Sequence, residues 1–238
     1  MTDEDALLAA ICANPADDTA RLVFADYLRE QGGSVNGAWA LFVRGQVEVA
    51  RGGESCDPTA AARVRLLDVP YWRARWWARL GFADARLTCA EWVRGFPLSV
   101  TGDANAVRAA WPRLAARLPF EKLEVQSTSD ADVEDLVVRV GLDRVRDLFL
   151  RTDLMDEDPL GDRAFGALAG CPALCELRAL AVAYVRASDA GAEALLDSPH
   201  LAGLTAFSAS TLNRRGRITV SAGLRHRFAQ RYGEHAYY

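Results

Sequence analysis

The sequence predicts an α/β protein in two parts: an all-helical domain over residues 1–95, then a stack of parallel strands and helices over 96–238. Three observations carry this. Apolar residues in the first part recur at helical spacing. From Trp92 onward, short apolar strands alternate with helical stretches and Gly/Pro/Asp turns. The chain also matches itself at a shift of 27 residues, from 162–182 onto 189–209.

Leu7, Leu8, Ile11 and Cys12 form one apolar face of a first helix that ends at Asn14-Pro15. Asp17-Asp18-Thr19 offers caps for a second, with Asp18 read as the cap. That helix has Leu22, Val23, Phe24, Tyr27 and Leu28 as its apolar positions, and Gly32-Gly33 stops it. A third helix is expected from Ala38 to Ala50 with Leu41, Phe42 and Val49 inward, broken by Gly52-Gly53. Asp57-Pro58 then opens a further helical stretch that carries Val64, Leu67, Trp72, Trp76 and Leu80.

In the self-match Asp162 falls on Asp189, Leu168 on Leu195, Pro172 on Pro199, Leu174 on Leu201, Leu177 on Leu204 and Leu180 on Phe207. These are apolar and turn positions, as a packed repeat requires. One strand anchor per unit gives Leu98, Leu123, Leu148, Leu180 and Phe207, at steps of 25, 25, 32 and 27. Leucine-rich repeats have this period of ~20–29 residues, and stacking them buries faces that no single unit can cover. The longest step holds Asp153, Asp156, Glu157 and Asp158 in an inserted acidic loop. The helical domain is expected to close one end of the array. A helix over Ser221–Tyr232 and a short strand over His235–Tyr238 are expected to close the other.

The run from Leu7 to Ile11 and from Asn14-Pro15 through Phe24-Ala25-Asp26-Tyr27-Leu28-Arg29-Glu30 resembles the bacterial repeat-companion domain. Phe42-Val43-Arg44-Gly45-Gln46 is similar to the Phe-x-Arg-x-Gln segment of that family, and Trp92-Val93-Arg94-Gly95-Phe96 to its Arg-Gly-Phe link before the repeats. Asp189–Leu195 with Ser198–Leu204 looks like the leucine-rich repeats that follow. The resemblance implies a role in repeat-mediated protein interaction and supplies no catalytic residue.

Other chemistry is weakly signalled. Formal net charge is −4, which argues against nucleic acid or an anionic membrane as partner. The five cysteines, Cys12, Cys56, Cys89, Cys171 and Cys175, lack disulfide-framework spacing, and reduced thiols in the cytoplasm are expected. The acidic start Thr2-Asp3-Glu4-Asp5 is unlike a signal peptide, and no run reaches the ~20 apolar residues of a membrane span. Cys171 and Cys175 fall on Ser198 and Ala202 in the repeat register, so packing outweighs metal binding. The acidic loop lacks EF-hand spacing and reads as solvated, with ion or basic-partner binding left open. Trp72, Trp76, Trp77 and Trp92 with Arg73, Arg75 and Arg79 admit nucleic-acid stacking, but a buried aromatic core is the simpler reading. Asp17, Asp18, Arg21 and Asp26 are read as structural. Without a phosphate loop, nucleophile elbow or metal motif, the sequence predicts no enzyme, cofactor or metal site.

The expected function is a protein-binding scaffold that uses the concave sheet face. Residues alternating with the inward leucines form that face: Ser99 and Thr101, Glu124 and Gln126, Phe149 and Arg151, Ala181 and Ala183, Ser208 and Ser210. Glu124, Gln126, Phe149, Arg151, Ser208 and Ser210 are the candidate contacts. Phe149, expected to be exposed, is the anchor. The alternative is a structural or regulatory subunit of a bacterial complex that meets its partner through the N-terminal helices.

Overall fold

Three of the five helices described in the first part begin where short polar side chains satisfy their unpaired N–H groups. In the computed structural model, which describes residues 2–53, 57–152, 160–210 and 220–233, Thr2 and Asp5 make a reciprocal capping box for α1 (Asp3–Ala13). The cap of α2 (Asp18–Gln31) is Asp17, whose carboxylate accepts from Thr19 N–H at 2.8 Å. Asp18, expected to cap, is instead the first helical residue and is buried. Helix α3 (Ser34–Gly52) is longer than expected and starts after the positive-φ pair Gly32-Gly33. Its inward face is Trp39, Phe42, Val43 and Val47; Leu41 is 45% exposed rather than inward, because it lies on the opposite side of the turn. The single further helix expected after Asp57 is two, α4 (Pro58–Leu67) and α5 (Pro70–Arg79). Pro70 supplies no N–H to continue α4 and opens α5 at its first turn.

Three two-residue strands follow: β1 (Leu87–Thr88), β2 (Trp92–Val93) and β3 (Phe96–Pro97). β2 and β3 pair antiparallel around Arg94-Gly95, both at positive φ (50° and 88°), as a two-residue primed turn requires.

From here the chain repeats a strand, a helix and, from the second helix on, a tight turn: β4 (Ser99–Asp103), α6 (Ala104–Arg117), β5 (Lys122–Gln126), α7 (Asp130–Arg139), β6 (Asp147–Arg151), α8 (Asp162–Ala169), β7 (Ala179–Ala183), α9 (Asp189–Leu196), β8 (Ala206–Ser210) and α10 (Ala222–Tyr232). β4 to β8 are neighbours in chain order, and every pair among them is parallel. α8, a 3-10 turn at Pro172–Leu174 and β7 recur 27 residues later as α9, a turn at Pro199–Leu201 and β8. The inward row is Val100, Leu123, Leu148, Leu180 and Phe207, all buried. The first anchor is therefore Val100, two residues beyond the expected Leu98, because β4 begins at Ser99.

The strand entries also repeat. The Glu121 carbonyl accepts from the Arg146 and Asp147 N–H, that of Arg146 from Arg178 and Ala179, and that of Arg178 from Thr205 and Ala206. A second ladder joins the helix starts. Asp130, at the start of α7, accepts from the N–H groups of Gly161 and Ala164. Asp162, starting α8, accepts from the N–H and hydroxyl of Ser188, the cap of α9. Asp189, starting α9, accepts from the N–H of Ser221, the cap of α10. The Asp162–Asp189 match in sequence thus marks a carboxylate that fastens each unit to the next. Its close approach also fixes a glycine: a Cβ at Gly191 would stand 3.0 Å from Asp162 Cα.

The chain divides into two compact units, Met1–Leu98 with Ala110–Phe120, and Ser99–Ala109 with Glu121–Tyr238. The expected cut at 95/96 omits the second half of α6, whose Arg117 pairs with Asp5 at 2.7 Å and whose Arg113 donates to the Gly81 carbonyl. Cys56, the acidic loop with Asp153, Asp156, Glu157 and Asp158, and the strand expected at His235–Tyr238 lie outside the described residues.

Candidate partner-binding face

Strand alternation puts three lateral rows of side chains on the outer face of β4–β8. The first is Ser99, Lys122, Asp147, Ala179 and Ala206. The second is Thr101, Glu124, Phe149, Ala181 and Ser208, and the third is Asp103, Gln126, Arg151, Ala183 and Ser210. The structure brings four of the six candidate residues side by side, Glu124 beside Phe149 and Gln126 beside Arg151; Ser208 and Ser210 lie on β8, with β7 between them and Phe149 and Arg151, and the Ser210 side chain is outside what is described. In β4 the expected pair is displaced by two: Thr101 and Asp103, not Ser99 and Thr101, stand beside Glu124 and Gln126. This follows from the anchor being Val100.

The two halves of the face differ. On β4–β6 it carries Lys122, Asp147, Glu124, Gln126, Phe149 and Arg151; on β7 and β8 it is alanine and serine. Glu124 is tied down, since its carboxylate accepts from Gln126 Nε2 at 3.0 Å and Thr101 Oγ1 at 3.4 Å. Phe149 lies between Glu124 and Ala181 in the register and is partly, not fully, exposed. Arg151 is exposed. Behind it, Thr128 donates both its N–H and hydroxyl to the Arg151 carbonyl, and the Thr152 hydroxyl donates to the Thr128 carbonyl, so the end of β6 is held rigidly.

The other candidates resolve into structure. Cys171 is buried near the Val137 carbonyl, while Cys175, expected to pack, is exposed on the turn before β7. Burial pushes the Cys89 thiol up, which disfavours its thiolate. Among the described residues no group of three His, Cys, Asp or Glu side chains is placed to hold a metal. Trp76, Trp77 and Trp92 are buried; Trp76 stacks on Phe42 and Trp39. Arg73 pairs with Asp68 and Arg79 with Glu4, both at 2.5 Å. Asp26 pairs with Arg44, while Arg51 and Arg94 share Asp18. Arg21 is 3% exposed, and burial first, then the Arg94 charge, lowers its pKa.

Sequence reasoning passed over one constellation. The Gln46 amide donates to the Trp92 carbonyl at 3.0 Å and accepts from the Gly95 N–H at 2.6 Å, while Trp39 Nε1 donates to the Gly95 carbonyl at 2.8 Å. The Phe42–Gln46 segment and the Trp92–Phe96 segment, noted separately in the sequence, meet here.

No helix among the described residues is long and apolar enough to cross a membrane. No protein-family model, curated protein or solved structure matches the chain.

Proposed function

We propose that the chain is a non-enzymatic protein-interaction module. In this reading the second unit is a short leucine-rich-repeat-like solenoid, the first is a repeat-companion-type helical domain, and the setting is the cytoplasm. The partner contacts the outer sheet face through Glu124, Gln126, Phe149, Arg151, Ser208 and Ser210. The observation that carries the reading is the second row, where an aromatic side chain stands on an open sheet face beside a carboxylate on one side and alanine on the other. Aromatic and arginine side chains are the residue types that dominate interface energies. Arg151 offers two parallel N–H donors to a partner carboxylate, and the flat β7–β8 surface admits close approach of a backbone. Affinity capture on the immobilised chain with mass spectrometry identifies the partner. Phe149→Ala and Arg151→Ala are then expected to weaken that complex by roughly 1–3 kcal/mol each. Unchanged affinity for both overturns the assignment of the face.

A further inference from the structure

Residues 58–79 of the first unit, which form α4, α5 and the link between them, carry five arginines, Arg63, Arg65, Arg73, Arg75 and Arg79, against one acid, Asp68. Their formal charge is +4 in a chain of −4, so all other residues together carry −8. Arg73 and Arg79 are neutralised by Asp68 and Glu4. Arg63, Arg65 and Arg75 make no ion pair among the described residues. The same two helices expose large apolar groups, Leu66 at 77% and Tyr71 at 57%. On α5 the outward residues are Tyr71, Ala74, Arg75 and Ala78, which is helical spacing for one face. The Arg75 guanidinium lies 4.5 Å from the centre of the Tyr71 ring, so both are held in place before any partner arrives. Beside α4 lies a groove of about 570 Å³ with Leu22 and Val47 as apolar lining, Arg44, Arg51 and Arg63 as cations, and Glu48 and Asp57 as acids. The buried Nε of Arg44 has no hydrogen-bond partner there.

We propose that the α4–α5 surface is a docking site for an acidic, partly apolar polypeptide segment of a partner protein. It is built from elements of the first unit and does not rest on the reading of the sheet face. Carboxylates of the segment pair with Arg65 and Arg75 and reach Arg63 in the groove; its apolar side chains cover Leu66 and Tyr71. Nucleic acid fits less well. The Tyr71 ring is covered on one side by Arg75, an exposed leucine gains nothing from a phosphate backbone, and the acidic remainder of the chain repels a long polyanion.

The test uses the full chain and a fluorescein-labelled synthetic peptide of glutamates interspersed with leucine and phenylalanine, read by anisotropy at low salt. The expected result is saturable binding that weakens at least about tenfold in Arg65→Glu/Arg75→Glu. It weakens about threefold or more in Leu66→Ser and in Tyr71→Ser. Arg178→Glu/Arg186→Glu, a reversal of two exposed arginines in the second unit, leaves it unchanged. Melting curves check that each variant is folded. The proposal is overturned by absence of binding to the wild-type chain, or by equal loss in the two double reversals. It is also overturned if the peptide responds to Phe149→Ala but not to the arginine pair. Tighter binding of an oligonucleotide of equal length, or of phosphatidylserine vesicles, than of the peptide overturns it as well.

Discussion

The two units hold themselves together by different means. In the first, large aromatic rings fill the interior and single side chains tie distant backbone: Gln46 and Trp39 grip the Arg94-Gly95 turn across about fifty residues of chain. In the second, the same modest contact recurs. A leucine row, a carbonyl taken by the next strand, and an aspartate at each helix start appear once per unit. A stack of this kind has stability that is close to a sum of neighbour terms. The first unit concentrates its stability at a few irreplaceable positions; the second distributes it.

The largest expected effect is therefore in the first unit. An alanine at Gly95 must take a positive φ and place its Cβ 2.9 Å from Val43 Cα. Strain and overpacking together are expected to cost about 3–5 kcal/mol in denaturant unfolding. Next come Leu177→Ala and Leu204→Ala, equivalent buried positions of successive units, at roughly 2–5 kcal/mol each. If the second unit is a stack of equals, the two costs agree within about 1 kcal/mol. Costs below ~1 kcal/mol for both contradict their place in the core. Asp162→Ala removes one rung of the aspartate ladder, and about 1 kcal/mol is expected, as for a lost helix cap.

The smallest effect is the response to acid. Hydrogen bonds from Ser221 hold the Asp189 carboxyl below its ordinary value. Thr2 and then Arg117 hold that of Asp5 down at about 2. A carboxyl whose folded pKa is depressed stabilises the fold above its unfolded pKa of about 4, and that contribution fades as pH falls from there toward the folded value. Melting temperatures measured from pH 6 to pH 3 are expected to fall less steeply in Asp189→Asn than in the wild-type chain. An unchanged slope contradicts the ladder at that position.

Much of the second unit was legible because repetition tests itself: the match of 162–182 onto 189–209 placed α8, α9, β7, β8 and their turns together. The register of the candidate face followed from it for β7 and β8, and from the strand anchors Leu123 and Leu148 for β5 and β6. It failed at β4, where no repeat partner fixes the start and Leu98 and Val100, two residues apart, fit the alternation equally well. In the first unit, apolar periodicity located the helices but misjudged Leu41, since a helix that packs on several neighbours blurs a single stripe. The Gln46 clamp was illegible as a contact, because its partners are backbone atoms, which carry no sequence signature. Burial of Arg21 and Asp18 was hidden for a similar reason: charged residues read as surface unless their partners are known.

The proposed function stands on the claim that adjacent residues of β6 do opposite jobs, Leu148 in the core and Phe149 on the binding face. Leu148→Ala and Phe149→Ala, measured side by side for unfolding free energy and for recovery of the captured partner, test it most directly. The expected result is that Leu148→Ala loses roughly 2–5 kcal/mol of stability, while Phe149→Ala stays within about 1 kcal/mol of the wild-type chain and loses the partner. A Phe149→Ala chain that retains the partner at wild-type affinity, or that unfolds as readily as Leu148→Ala, contradicts the account.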